Sequence, residues 1–362
     1  MMGLDETVAT RAERDGATIE AILERGGPRL AARMARSEAY LEQVTAESGA
    51  PLAVYATATI RAGGKRLRPL LVLLSAESAP RACANGVAPE EGNGSLSAAE
   101  GESGHEQALV RAAAAVELMH SATLVHDDVI DGASLRRGRP TVAVQGGPHA
   151  AIATGDLLFS RAFAELARNG DSVQLRALSD ASSALVRGEF LQREDAFSRS
   201  VSVDRYIERC ELKTAALFEA SCRLGTLVAG GGGALAGALG SCARRVGLAF
   251  QLLDDVLDVS GSPTDTGKVR GTDLLDGTVT LPLILARERD PELSAVDLRE
   301  LSGPGQADQL CERIAATGAL ERARALALEV VGEAKTRLPA GLPARLTSLL
   351  QLVADAVVDR YR

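Results

Sequence analysis

The sequence predicts an all-α protein, a single-domain bundle of many helices, and three observations carry that prediction. Ala, Leu, Arg and Glu recur at three- and four-residue spacing from ATIEAILERGGPRLAARMARSEAYLEQV onward. Runs that alternate polar and apolar residues, as strands do, are scarce. The glycines fall in clusters that read as breaks between helices: Gly63-Gly64, Gly146-Gly147, Gly230 to Gly233, and Gly261.

Between those breaks the pattern predicts helices over 107–131, 150–168, 172–195, 203–228, 234–259, 279–288, 305–338 and 342–361. The first of these holds no Gly or Pro from Gln107 to Asp131. Before it, APRACANGVAPEEGNGSLSAAEGESGHE, Ala79 to Glu106, is rich in Gly, Ser, Ala, Pro and Glu and has no apolar periodicity. That composition cannot build a core and predicts a long mobile loop. A domain linker has the same composition, but the helices on both sides carry parts of one candidate site, so one domain over 1–362 is expected.

Composition excludes several functions. Hydrophobic residues make up 46% of the 362 and supply a large core. Aromatics are only 3% and Trp is absent, which argues against base stacking. The net charge of −8, with no long basic run, argues against nucleic acid as a partner. An acidic protein that handles anions must gather its positive charge locally or take it from metal ions. The five cysteines (Cys83, Cys210, Cys222, Cys242, Cys311) lie far apart without a CxxC pair and read as reduced thiols. MMGLDETVATRAERDG has early acids and no apolar segment, unlike a signal peptide. No uninterrupted apolar run reaches the roughly 18 residues of a membrane span. A soluble cytoplasmic protein is expected.

The chemistry concentrates in LVHDDVIDGASLRRGRPT, where three acids (Asp127, Asp128, Asp131) precede three arginines (Arg136, Arg137, Arg139). On a helix, positions seven and eleven apart return to nearly the same angle, so His120, Asp127 and Asp131 share a face. Two carboxylates one turn apart offer oxygen ligands to Mg²⁺, which takes a few carboxylates plus water and substrate phosphate. An isolated DDxxD is commonly a solvated acidic face. This one is not isolated, because FQLLDDVLDVSG repeats it at Asp254, Asp255 and Asp258, with Gln251 three residues before Asp254. Two such helices face to face would form carboxylate walls that hold a diphosphate through bridging metal, with arginines on the remaining oxygens. RAGGKRLRP adds Lys65, Arg66 and Arg68 after a Gly-Gly break, where a helix start suits a second anionic group.

With these motifs the sequence resembles the trans-isoprenyl diphosphate synthase (polyprenyl synthetase) family over roughly residues 20–360. The matching elements are GGKRLRP, HSATLVHDDVID, RRGRPT, the Lys213-Thr214 pair, FQLLDDVLD and GKVRGTDLLDGTVTLPL, in that order. The resemblance implies helices around a central cavity and a homodimer. It implies head-to-tail condensation of isopentenyl diphosphate with an allylic diphosphate, with Mg²⁺ as cofactor, three ions once substrate is bound. It implies that Asp127 and Asp131 hold metal on one wall and Asp254 with Asp258 on the other, Asp128 and Asp255 completing the motifs. Arg136 is implied for the allylic diphosphate, and Lys65, Arg68, His120 and Arg137 for isopentenyl diphosphate. Lys213, Thr214, Gln251 and Lys268 are implied around the leaving diphosphate and the cation. His126 reads as structural, and His105 and His149 as exposed.

Chain length is read from Ala115, Met119 and Ala122, which form one stripe of the first acid helix. Family members that stop early place a bulky aromatic five residues before the first acid. Here that residue is Ala122, so a medium- to long-chain all-trans product is expected. A short-chain geranylgeranyl-type synthase, the catalytic subunit of a heterodimer and a non-catalytic homologue share the framework. The last commonly loses acids from one motif, and both are intact. A terpene cyclase would lack GGKRLRP.

Overall fold

The computed structural model describes residues 11–79, 98–261 and 269–359. The first long helix, α1 (Arg11–Ala46), bends at Gly27, whose φ of 76° interrupts the helical backbone. Then come α2 (Leu52–Arg61), α3 (Leu67–Ser75) and α4 (Ala98–Ile130), a hairpin of β1 (Leu135–Arg136) and β2 (Arg139–Pro140), α5 (Val142–Ala167) and α6 (Ser172–Glu194). A π turn (Glu211–Ala215) joins α7 (Val203–Cys210) to α8 (Ala216–Val228), and α9 runs Gly233–Ser260. Six shorter or terminal helices close the described chain: α10 (Thr272–Leu275), α11 (Leu281–Arg287), α12 (Pro291–Ala295), α13 (Pro304–Ala316), α14 (Ala319–Thr336) and α15 (Ala344–Asp359).

The architecture is all-α, with α4 at its centre. Around it pack α1, α3, α5 and α8, while α9 packs on α8 and α14. Ala112, Ala113, Ala114, Ala115, Val116, Leu118, Met119 and Ala122 are all fully buried, so α4 is apolar on every side because every side meets another helix. Its stretch Ser103–Ile130 is long and apolar enough by composition to cross a membrane, and 72% of its most apolar window lies buried inside the bundle. Polar side chains set the helix starts. Asp171 accepts from the Val173 N–H at 2.8 Å before α6, and Ser202 accepts from the Arg205 N–H at 3.2 Å before α7.

Three expectations change, and one stretch left unassigned takes shape. The loop expected at 79–106 ends sooner, because residues 98–106 are the opening turns of α4. Glu106 secures that end, accepting from Arg33 Nε at 2.9 Å and pairing with Arg29 on α1. Residues 80–97 lie outside the described residues. The Gly146-Gly147 break is a kink, since α5 continues through Gly147 (φ 83°) and Pro148. The helix expected over 305–338 is two, parted at Gly318 in the left-handed region (φ 76°). The basic stretch 136–139 is a two-residue hairpin whose central Arg137 and Gly138 both have positive φ, 52° and 73°. Cys210, Cys222, Cys242 and Cys311 are buried free thiols.

Candidate active site

Four elements converge on a cavity of about 260 Å³. Helix α4 contributes His120, Thr123, Leu124, Asp127 and Asp131, and α9 contributes Phe250, Gln251, Asp254 and Asp255. The α7–π–α8 segment brings Lys213 and Thr214, and α6 brings Leu185 and Gln192. The two acid-bearing helices therefore line one space, as their patterns predict.

Lys213 and Thr214 sit in the π turn. Both line the cavity, on a turn wider than that of the α-helices it joins. Glycines on two sides make room for its backbone. A Cβ on Gly188 would stand 2.4 Å from the Lys213 nitrogen, and one on Gly247 would stand 2.9 Å from Ala215 Cα.

The first acid motif divides its labour. Asp127 faces the cavity, where burial pushes its carboxyl up to about 6 while the Lys213 ammonium, 4.0 Å away, opposes that rise. Burial alone would lower the Lys213 pKa; the Asp127 and Glu189 carboxylates outweigh it and raise it. Asp131 pairs with Arg193 from α6. Asp128 points elsewhere: it is 5% exposed and accepts from Arg136 Nε at 2.6 Å, fixing the hairpin to α4.

The second motif repeats this division. Asp254 lines the cavity. Asp255 is buried and accepts from the Tyr206 hydroxyl at 2.6 Å and from Gln251 Nε2 at 2.7 Å. Burial pushes its carboxyl up to about 6, against the pull of those two hydrogen bonds. Asp258 lies at the end of α9, where its Oδ2 accepts from the Asp273 N–H at 3.2 Å. Asp128 and Asp255 are thus each tied to protein donors, Arg136 for the first and Tyr206 with Gln251 for the second.

A second basic group gathers at the mouth of α3. Arg68 is half-buried over the Phe218 ring at 4.7 Å, and its Nε makes no hydrogen bond among the described residues. Burial holds Arg68 down to about 10, so it stays charged at neutral pH. The Arg137 guanidinium lies against Gly64, within 3.0 Å of where a Cβ would stand. Burial, then the Arg68 and Arg137 guanidiniums, hold His120 well below its ordinary range, so it acts as a neutral ring. Lys65, half-buried in the preceding loop, lies beside this group in sequence. Arg66 does not serve an anion. Its guanidinium is buried between Glu117 (2.6 Å) and Glu38 (2.5 Å) and donates to the Ile60 carbonyl at 2.8 Å.

The remaining assignments fare unevenly. Lys268 lies outside the described residues. Ala115, Met119 and Ala122 are fully buried in α4, and the cavity lining reaches His120, Thr123 and Leu124 without including them. His126 stacks on Phe159 with ring centroids 5.7 Å apart, a structural place, and His105 and His149 are exposed. Glu189, Gln192, Tyr206 and Arg209 join the site without having been singled out in the sequence. The available signal was an isolated glycine inside a helical pattern, at 188 and 247, which marks a close backbone approach.

Among the described residues, no three Asp, Glu, His or Cys side chains gather into a closed metal site. The outward carboxylates Asp127 and Asp131 sit one turn apart, with Asp254 on another helix lining the same cavity. That arrangement fits Mg²⁺, which keeps water and takes substrate phosphate alongside one or two carboxylates.

The polyprenyl synthetase family model matches residues 51–315. The chain is 35% identical to the short chain isoprenyl diphosphate synthase of Methanothermobacter thermautotrophicus, over 83% of this chain and 88% of that one. It is 34% identical to heptaprenyl diphosphate synthase component 2 of Geobacillus stearothermophilus, over 81% and 83%. The crystal structure of a decaprenyl diphosphate synthase from Rhodobacter capsulatus superposes with a TM-score of 0.78 at 31% identity, covering 92% of this chain and 98% of that one. The names of these relatives span short and long products. With two acid helices lining one cavity and a separate basic group beside it, the chain belongs to the polyprenyl synthetase family and is a prenyltransferase.

Proposed function

We propose that the protein condenses isopentenyl diphosphate head-to-tail with an allylic diphosphate and releases a medium- to long-chain all-trans polyprenyl diphosphate. The observation that carries this reading is the cavity between α4 and α9, with acids on both helices and a basic group at its edge. Bound Mg²⁺ would supply charge neutralisation of the diphosphate leaving group, held by Asp127 and Asp131 on one side and by Asp254, with Asp258, on the other. Lys213 and Arg136 offer N–H donors to the same diphosphate, and Arg68, Arg137, Lys65 and His120 seat the second one. The allylic C–O bond breaks, and its electron pair leaves with the diphosphate. The isopentenyl double bond then forms the new C–C bond, and the released diphosphate takes the proton that is lost. Leu185, Leu217 and Phe250 line the cavity and keep water from the cation.

The longer product is supported by Ala122, a small residue where an aromatic would shorten the path. A homodimer is supported by apolar side chains left exposed on adjoining helices: Val144 and Ile152 on α5, and Val173, Val186 and Phe190 on α6. Chromatography of products made from labelled isopentenyl diphosphate and allylic primers of increasing length tests the reading. Products that stop at the geranylgeranyl length would overturn the chain-length part, and no condensation with any primer would overturn the whole.

A further inference from the structure

From Tyr206 a chain of three hydrogen bonds, buried at its Tyr206 end, runs to the cavity. Its hydroxyl donates to Asp255 Oδ2 at 2.6 Å, Gln251 Nε2 donates to Asp255 Oδ1 at 2.7 Å, and Thr214 Oγ1 donates to Gln251 Oε1 at 2.7 Å. Tyr206 is fully buried, and the Arg209 guanidinium covers its ring at 5.2 Å from the centroid. Arg209 is itself fixed by donating to the Val279 carbonyl at 2.7 Å.

The order of donors in this chain admits one direction. Gln251 presents its NH₂ to Asp255 Oδ1 and its carbonyl oxygen to Thr214 Oγ1, and an amide nitrogen only donates. That oxygen takes the single proton of the Thr214 hydroxyl. Toward the cavity, Thr214 is left with lone pairs and no proton. An oxygen in that state repels a diphosphate and stabilises an electron-poor carbon. With Gln251 reversed, its NH₂ would donate to Thr214 and free the hydroxyl proton to face the cavity, which is the wrong polarity for a cation.

We infer that Tyr206 is a positioning residue for the condensation: by holding Asp255, it sets the direction of the Gln251 amide and makes Thr214 an acceptor toward the allylic cation. Tyr206 does not line the cavity and touches no reacting atom, so its influence passes through Asp255, Gln251 and Thr214 in turn. The inference rests on the condensation reading above. It also separates the two adjacent aspartates of the second motif, since Asp254 faces the ligand while Asp255 faces the chain that orients Gln251.

The test is a double-mutant cycle in the full-length protein with saturating Mg²⁺ at pH 8, using Tyr206→Phe, Thr214→Val and the pair. Tyr206→Phe is expected to lower kcat about tenfold while KM for each diphosphate stays within about twofold, because the loss falls on the transition state. In the Thr214→Val background, where the last link is gone, Tyr206→Phe is expected to cost less than about twofold. Thermal midpoints verify that all variants are folded. An equal fall of kcat in both backgrounds would mean that Tyr206 supports the fold alone and would overturn the inference, as would an unchanged kcat in folded Tyr206→Phe. Should Tyr206→Phe not fold, the cycle is read with Gln251→Met and Thr214→Val, where additive losses overturn the relay. A wild type that condenses nothing overturns the reading of function; an active wild type with additive losses overturns the relay alone.

Discussion

Gly188 on α6 meets the backbone of Lys213 so closely that a Cβ on Gly188 would stand 2.4 Å from the Lys213 nitrogen. The position of two cavity residues thus depends on a side chain that is not there. Gly188→Ala is expected to push the π turn away from α6, costing about 1–3 kcal/mol of stability as overpacking does. It should also lower kcat more than it raises either KM, because Lys213 and Thr214 move together. Steady-state kinetics and a denaturant titration check both parts, and wild-type kinetics in a destabilised variant would show that the turn tolerates displacement.

Divalent cation is expected to be indispensable, since the carboxylates of α4 and α9 cannot attract a diphosphate unaided. Turnover should vanish in excess chelator and return with Mg²⁺. Undiminished turnover without metal would remove the role given to Asp127, Asp131 and Asp254.

Arg68→Ala is expected to raise the KM for isopentenyl diphosphate about tenfold, near the worth of one charge-assisted hydrogen bond. The KM for the allylic substrate should change much less, because Arg68 stands at the edge of the cavity where Arg137 and His120 gather. Equal changes in both constants would merge the two sites into one.

Ala122→Phe is expected to shorten the product without abolishing condensation. Ala122 lies about 7.5 Å along α4 from Asp127 at roughly 1.5 Å of rise per residue, so a ring there leaves the metal-facing carboxylate untouched. Product lengths under identical substrate ratios decide it. An unaltered distribution in an active variant would mean that the tail runs elsewhere.

Arg66→Ala is expected to destabilise the fold by roughly 3–5 kcal/mol, the cost of stranding a buried partner charge. That partner is Glu117, whose side chain is 4% exposed. Calorimetry should show the thermal midpoint falling by several degrees. A midpoint within a degree of wild type would mean that Glu117 finds another donor or takes up a proton at little cost.

Glu106 links stability to pH. Hydrogen bonds from Arg33, and then from Arg29, outweigh burial and hold its carboxyl down to about 2. A carboxyl lower in the folded state than in the unfolded chain (about 4.3) stabilises fully above the unfolded value and loses that contribution as pH falls toward 2. Glu106→Gln should therefore cost about 1–2 kcal/mol at pH 7, allowing for solvent screening, and less at pH 3. Urea midpoints at the two pH values measure this, and a gap that does not narrow would assign the loss to packing.

Much of this was legible in the chain because helices report their own faces. Asp127 and Asp131 could be paired from periodicity alone, and Gln251 could be placed on the face of Asp254. What the periodicity could not separate was each outward acid from its neighbour. Asp128 is claimed by Arg136, and Asp255 by Tyr206, a residue 49 positions away whose side chain carries no motif. Arg66 reads like Lys65 and Arg68 until Glu38 of α1 and the buried Glu117 of α4 are seen on either side of it. The π turn was invisible for a related reason: ELKTA has ordinary helical composition, and its widening is matched by glycines on two other helices. The start of α4 was missed because Gly and Ser disguised it, while Glu106 secures it from a distance.

The hydrogen bonds that tie Asp128 and the hairpin to the end of α4 are local, whereas Asp127 and Asp131 meet Lys213 and Arg193 from distant helices. Arg136 reaches Asp128 across eight residues, Thr141 Oγ1 donates to the Ala133 carbonyl across eight more, and the hairpin closes between them. The second wall depends on partners 37 and 49 residues apart, Thr214 with Gln251 and Tyr206 with Asp255. Short-range contacts close at small entropic cost and long-range ones do not. The Asp128–hairpin unit can therefore take shape early in folding, before the bundle closes around it. The outward acids of the first wall and the hydrogen-bonded chain of the second meet their partners only after the bundle has assembled, and a mutation that slows assembly will silence them first.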